Sequence, residues 1–199
     1  MSFYSIARGF VKGLSHIICP IKVHGDISVM PEDSGVIISA NHLSYFDVVF
    51  LGVVCKRQIH FVAKKKYAEM FFLKWLVKWL GAFGIDTEKP DLGALRKCFK
   101  VIKDKEVLGI FPEGTRVRDG KISDPMPGAT MIAHKTKAPI LYVRIKPRTK
   151  SGFFKLFRKT DVYIGGIVTV EELGVTDGKG TQYKDASVTL LEKIYSLGE

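Results

Sequence analysis

Gly35-Val-Ile-Ile-Ser-Ala-Asn-His-Leu-Ser-Tyr-Phe-Asp47 is the stretch whose reading decides the fold. Its first half is an apolar, β-branched run of strand length. Such a run, without apolar/polar alternation, belongs to a strand covered on both faces. The run stops at Asn41-His42, and the pattern predicts a helix over 46–55. A buried strand leading into a helix is the repeating unit of an α/β domain.

The same grammar extends outward in both directions. Upstream, 21–26 reads as a short strand and 31–34 as a turn. Downstream, strands are expected at 59–63, 107–111, 139–145 and 161–170, the last interrupted or divided at Gly165-Gly166. Helices are expected at 90–103, with Pro90 in its first turn and Leu92, Leu95, Phe99 and Ile102 inward, at 127–136, and at 182–197, with Val188, Leu191, Ile194 and Tyr195 inward. Residues 112–127 form a loop. Strands and helices alternate, which points to a three-layer α/β single domain with a largely parallel central sheet.

Two segments stand outside that grammar. Residues 3–18 place Phe3, Ile6, Ala7, Phe10, Leu14 and Ile17 on one helical face, with Arg8 and Lys12 opposite. This N-terminal amphipathic helix either packs on the core or lies in a membrane interface. Residues 67–83 carry Phe71, Trp75 and Trp79 beside Lys74 and Lys78, a pairing that suits the headgroup boundary. Burial in the core or in a dimer contact is the competing reading. No stretch approaches the roughly 18–20 unbroken apolar residues that span a bilayer, and Arg8 and Lys12 interrupt any signal-peptide core. The expectation is a cytoplasmic protein lying on a membrane without crossing it.

Composition bounds the partners. The chain has 199 residues, 46% hydrophobic, with 31 Lys and Arg against 20 Asp and Glu, a formal net charge of +11. That surplus draws anionic partners. Nucleic acid is disfavoured, because the aromatics cluster with Leu and Val in one segment instead of alternating with basic residues along a strand. Cys19, Cys55 and Cys98 are odd in number and widely spaced, which argues against a disulfide framework or a zinc site; they read as small buried apolar residues.

The chemistry-bearing residues follow buried strands. His42 lies just past a strand end, where open α/β sheets place their sites, and Asp47 comes five residues later. If the chain turns into a helix there, the carboxylate can fold back onto one imidazole nitrogen, fix the tautomer and leave the other as a base. By itself the spacing is common. No nucleophile elbow accompanies it, so the hydroxyl to be activated belongs to a substrate. The second constellation is Phe111-Pro-Glu-Gly-Thr-Arg116. Gly114 allows close backbone approach, Arg116 supplies a planar fork for phosphate, and Glu113 either orients Arg116 or meets a substrate hydroxyl. Lys64, Lys65 and Lys66 end a strand beside the Trp-rich segment, within reach of a phosphate or simply solvated.

Here the chain resembles the glycerolipid acyltransferases. Asn41 to Asp47 matches their NHxxxxD box, and Phe111 to Arg116 their FPEGTR box residue for residue. Gly81-Ala-Phe-Gly-Ile-Asp86 looks like their second box and Ala138-Pro139-Ile140 like the start of their fourth. The resemblance runs from about Ser2 to Gly174, and in size and style it is nearest the bacterial 1-acylglycerol-3-phosphate acyltransferases. It implies acyl transfer from a thioester, acyl-CoA or acyl-carrier protein, to the 2-hydroxyl of lysophosphatidic acid. His42 would be the general base, Asp47 its orienter, and Asn41, Lys64, Lys65, Glu113, Gly114, Thr115 and Arg116 the acceptor's surroundings. No metal or bound cofactor is implied. Residues 1–20 would be the amphipathic helix and 21–199 the catalytic domain. Phe3, Phe10, Leu14, Phe71, Trp75 and Trp79 would meet an anionic membrane surface on its cytoplasmic side. Two positions depart from the pattern. Thr87 replaces the Arg that follows the second box's Asp, with Lys89 two residues on, and Tyr142 replaces the second Pro of the fourth. The acceptor therefore stays open to another lyso-lipid. Thioester hydrolysis and a non-catalytic basic membrane-binding role are the other readings.

Overall fold

A run such as Val36-Ile-Ile-Ser-Ala40 can be buried on both faces only if apolar layers lie above and below it, and in this computed structural model they do. The structure describes residues 18–64, 81–85, 91–117, 124–149 and 155–199, together with Gly9, Val11, Gly13, Ser15 and Ser151. Among them seven strands form one sheet: β1 (Ile21–His24), β2 (Val36–Ala40), β3 (Ile59–Lys64), β4 (Phe83–Ile85), β5 (Val107–Ile110), β6 (Ile140–Pro147) and β7 (Thr160–Val168). Their order across the sheet is β1-β7-β6-β2-β5-β3-β4. Every pairing is parallel except β6 with β7. The sheet is thus mixed, with a parallel majority.

Among the described residues four α-helices accompany it: α1 (Asp47–Val54), α2 (Leu92–Lys103), α3 (Gly128–Thr136) and α4 (Gly180–Ser196). Successive side chains of a strand point to opposite faces, and they divide between two cores accordingly. Ile37, Leu108 and Ile140 meet the inner faces of α2, α3 and α4, through residues such as Cys98, Ile132 and Leu190. Val36, Ile38, Val107, Leu141 and Val143 point the other way, onto Phe50 and Leu51 of α1. Cys19, Cys55 and Cys98 are buried, as small apolar residues. No helix among the described residues is long and apolar enough to cross a membrane.

The differences from the expected elements have local causes. Phe83 does not continue the Trp-rich segment; with Gly84 and Ile85 it pairs with Val62, Ala63 and Lys64 as a short edge strand. The second helix starts at Leu92, because the Asp91 carboxylate caps it by accepting from the Ala94 N–H at 2.8 Å. Leu92 is consequently exposed at the helix end, and Val188 is exposed on the outer face of α4. Residues 161–168 form one strand, not two. Gly165 is an extra residue between Ile164 and Gly166, where Tyr142 pairs with Gly166 and Val143 with Ile164. A Cβ on Gly165 would sit 2.1 Å from the Tyr142 ring. The bulge makes room for the tyrosine that departs from the family pattern at this position. Phe3, Phe10, Leu14, Phe71, Trp75, Trp79, Lys65 and Thr87 lie outside the described residues.

Candidate active site

β2 and β6 run parallel, and past Ala40 their ladder is prolonged by a side chain. The Asn41 amide nitrogen donates to the Ile145 carbonyl at 2.9 Å, and its oxygen accepts from the Ile145 N–H at 2.7 Å. Asn41 is buried. Expected on the substrate, it is instead turned toward the neighbouring strand, where it fixes the direction in which the chain leaves the sheet. The next residue, His42, is the first to emerge.

His42 Nδ1 lies 2.8 Å from Asp47 Oδ2. The same oxygen accepts from the Leu43 and Ser44 N–H groups, each at 2.7 Å. Donors converging on a carboxylate oxygen require Nδ1 to carry its proton, which leaves Nε2 with the free lone pair. Asp47 is fully buried at the first turn of α1, where the helix dipole favours negative charge. It therefore closes the turn 43–47 and holds the imidazole with one atom. The imidazole face stacks on Phe111 at 4.1 Å and 13°, and Phe111 stacks in turn on Phe61. The ring is fixed in plane by an aromatic wall and in rotation by a carboxylate, with 18% of its side chain open.

The 111–117 segment is fastened to the same place. The His42 N–H donates to Glu113 Oε2 at 2.7 Å, and the His42 carbonyl accepts from the Val117 N–H at 2.9 Å. Glu113 Oε1 accepts from the Tyr195 hydroxyl of α4 at 2.7 Å. With both oxygens engaged and the residue buried, Glu113 stands behind His42 and not on the open side. Burial pushes its carboxyl above the ordinary range, against the pull of the Tyr195 hydroxyl and the His42 N–H. Burial also raises the Tyr195 phenol, and the Glu113 carboxylate adds to that shift. The Arg144 guanidinium lies 5.5 Å from the Tyr195 ring centre and donates to the Tyr195 and Leu197 carbonyls, which pins the end of α4.

Gly114 has φ +64, a left-handed conformation that glycine adopts without strain, and a Cβ there would meet Met126 Sδ at 2.5 Å. Thr115 is exposed. The Arg116 guanidinium lies 3.7 Å from the ring centre of Tyr45, a cation–π contact that brings its fork beside the His42–Asp47 turn. The structure thus brings Asn41, His42, Asp47, Glu113, Gly114 and Arg116 together. Lys64 ends β3, two strands from β2, and its side chain lies outside the described residues. Sequence reasoning missed Phe111 as the ring's wall, although it stands inside the quoted motif. It also missed Tyr45 as the seat of Arg116, and it took Tyr195 for a core residue. Nothing local distinguishes Tyr195, because its partner is 82 residues away.

The arrangement is an oriented imidazole with one open nitrogen and a cation beside it, suited to withdrawing a proton from an anionic substrate's hydroxyl. Comparison with known proteins gives a consistent picture. The family model described as Acyltransferase matches residues 20–146. The 1-acyl-sn-glycerol-3-phosphate acyltransferase of Bacillus subtilis is 39% identical over 119 residues, covering 56% of this chain and 56% of that protein. Its counterpart in Streptococcus pneumoniae is 27% identical over 190 residues, 90% of this chain and 68% of that protein. The chain therefore spans about half the length of the first of these relatives. The crystal structure of the LPA acyltransferase PlsC from Thermotoga maritima is similar in fold, with a TM-score of 0.70 at 21% identity, covering 97% of this chain and 81% of that one.

Proposed function

The chain belongs to the acyltransferase family, and from that membership we propose that it transfers an acyl group from a thioester to the 2-hydroxyl of lysophosphatidic acid, giving phosphatidic acid. The observation that carries this reading is the 2.8 Å contact between His42 Nδ1 and Asp47 Oδ2, which leaves Nε2 as the base. Relatives named for this reaction in two bacteria support the acceptor.

Nε2 takes the proton of the acceptor's hydroxyl as its oxygen attacks the thioester carbonyl. A tetrahedral oxyanion forms and collapses, the C–S bond breaks, and the imidazolium returns the proton to the departing sulfur. Asp47 orients the ring and stabilises the transient cation. Arg116 holds the phosphate, with Lys64 and Lys65 as further cations and with Gly114 and Thr115 shaping the loop. Asn41 and Glu113 act as positioning residues: one fixes the end of β2, the other the backbone of His42. The donor is an acyl-CoA or an acyl-carrier-protein thioester, consumed as a co-substrate with no resident cofactor. The protein works at the cytoplasmic face of a membrane as a peripheral or monotopic enzyme. Residues 1–20 help to anchor it and 21–199 form the catalytic domain.

The test offers both thioesters, radiolabelled in the acyl group, with lysophosphatidic acid in mixed micelles, to wild type and His42→Ala. Labelled phosphatidic acid from the wild type, lost in the variant, is the expected result. Label released only as free fatty acid would make the protein a thioesterase. Product with other lyso-lipids but none with lysophosphatidic acid would reassign the acceptor.

A further inference from the structure

The β6–β7 connection carries a surface that the catalytic reading does not use. Lys155 to Arg158 form a tight turn in which the Arg158 N–H donates to the Lys155 carbonyl at 3.3 Å. The two central residues of this turn are Leu156 and Phe157, 52% and 70% exposed. Phe157 has φ +61, in the left-handed region where glycine or asparagine is favoured. Stability in water selects neither a bulky aromatic at such a φ nor two large apolar residues at a turn tip. Lys155, Arg158 and Lys159 flank the tip and Lys22 lies on the adjoining strand; all are exposed, and none has a carboxylate partner among the described residues. The nearby carboxylate, Asp161, is buried and already held by Arg148 and His24. Between the turn and β1 lies a cavity of about 360 Å³ lined by Pro20, Ile21, Lys22, Arg148 and Lys159.

Topology sets this tip at the end of the sheet that carries the candidate site. β2 and β6 are parallel neighbours, so both end at the same edge of the sheet. β7 returns antiparallel from there, with Pro147 opposite Thr160. The connection therefore lies on the edge from which His42 emerges, and only β6 separates β2 from β7. Tyr45 and Phe46, 52% and 41% exposed, lie at that edge as well. The Phe157 N–H donates to the Ile18 carbonyl at 2.7 Å, which holds the tip in place.

We propose that the turn Lys155–Lys159 is a docking surface for an anionic lipid bilayer, with Leu156 and Phe157 entering the headgroup boundary. Apolar residues at the tip and unpaired cations around it match both layers of such an interface, apolar acyl chain and anionic headgroup. The cavity beside Lys22 and Lys159 has the size and charge for one headgroup phosphate. Docked this way, the protein presents the His42 edge to the bilayer. This assignment rests on the reading that the acceptor is a lipid.

The experiment measures partition of the full chain onto vesicles of phosphatidylcholine with and without phosphatidylglycerol. Leu156→Ser/Phe157→Asn should weaken partition onto the anionic vesicles about ten-fold. Its melting temperature should not fall, since asparagine suits the left-handed φ. Phe157→Trp should keep the affinity. Lys155→Glu/Lys159→Glu should lose the preference for phosphatidylglycerol. Undiminished partition of the Leu156/Phe157 variant would overturn the proposal. So would a wild-type dimer that this variant dissociates while vesicle binding persists, since the tip would then be a protein contact. Acylation of a short-chain lysophosphatidate below its micelle concentration should be the same in wild type and variant. Vesicle partition decides the docking surface, and that soluble reaction separately decides the acyltransferase reading.

Discussion

At the scale of single residues, the site is a set of obligations around His42. Removing the imidazole removes the proposed base, and His42→Ala is expected to lower kcat by about 10²–10⁴ with little change in melting temperature. Glu113 predicts a loss of stability as well as of activity. Its two oxygens accept from the Tyr195 hydroxyl and the His42 N–H. A glutamine can accept only through its single oxygen, so one buried donor loses its partner. Glu113→Gln should therefore cost about 1–3 kcal/mol in urea unfolding, and should lower activity through the displaced His42 backbone. An unchanged unfolding midpoint would remove Glu113 from its positioning role. His42, Asp47 and Arg116 were legible in the sequence because their relation is local or lies within a motif. Tyr195 and the engagement of Asn41 by Ile145 were not, since each is a pairing between distant segments and no short window records it.

At the scale of elements, the strands were legible from apolar runs bounded by turn residues, and the helices from periodicity. β4 was not, because three residues shared with an aromatic segment carry no alternation of their own. The single β7 was obscured by its glycine pair, which reads as a break and proves to be a bulge. Gly165→Ala should drive a methyl into the Tyr142 ring and cost about 1–3 kcal/mol. Combined with Tyr142→Ala the added penalty should vanish, and an additive double mutant would refute the contact. The sheet's β1 side also predicts an acid response. Asp161 on β7 accepts from Arg148, just past β6, and from His24 on β1. The Arg148 guanidinium, joined by His24 and opposed by burial, holds its carboxyl at about 2. The folded value lies below the unfolded one of about 3.9. This stabilisation is complete above about pH 4 and is lost as pH falls toward 2. Asp161→Asn should flatten the stability curve over that interval, measured by chemical unfolding at successive pH values.

For the whole molecule, composition bears on the kind of partner and says nothing of its place. A net charge of +11 on 199 residues predicts association with anionic vesicles that weakens as salt rises from about 0.1 to 0.5 M, as screening shortens from about 10 Å to a few ångströms. Salt-independent partition would mean that apolar insertion alone holds the protein. The α/β class could be read from the alternation of elements, but the strand order could not. Which strands become neighbours depends on pairings between segments scores of residues apart, and on the one reversal at β7. The reversal brings Lys155 to Lys159 to the His42 edge, and an expectation of a largely parallel sheet does not say which connection returns there.

The partners of β1 and β2 also arrive late in synthesis. Among the described residues β1 pairs only with β7, and His24 and Asp161 are 137 residues apart. A ribosome adding about 5–20 residues per second leaves that interval open for roughly ten seconds. For the first part of that interval Val36-Ile-Ile-Ser-Ala40 has neither of its flanking strands, since β5 begins at Val107 and β6 at Ile140. The nascent chain thus exposes a strand that is buried along its whole length in the folded protein before it can be covered, and a holdase, or the bilayer surface itself, would have its greatest effect on the yield of folded protein during that interval.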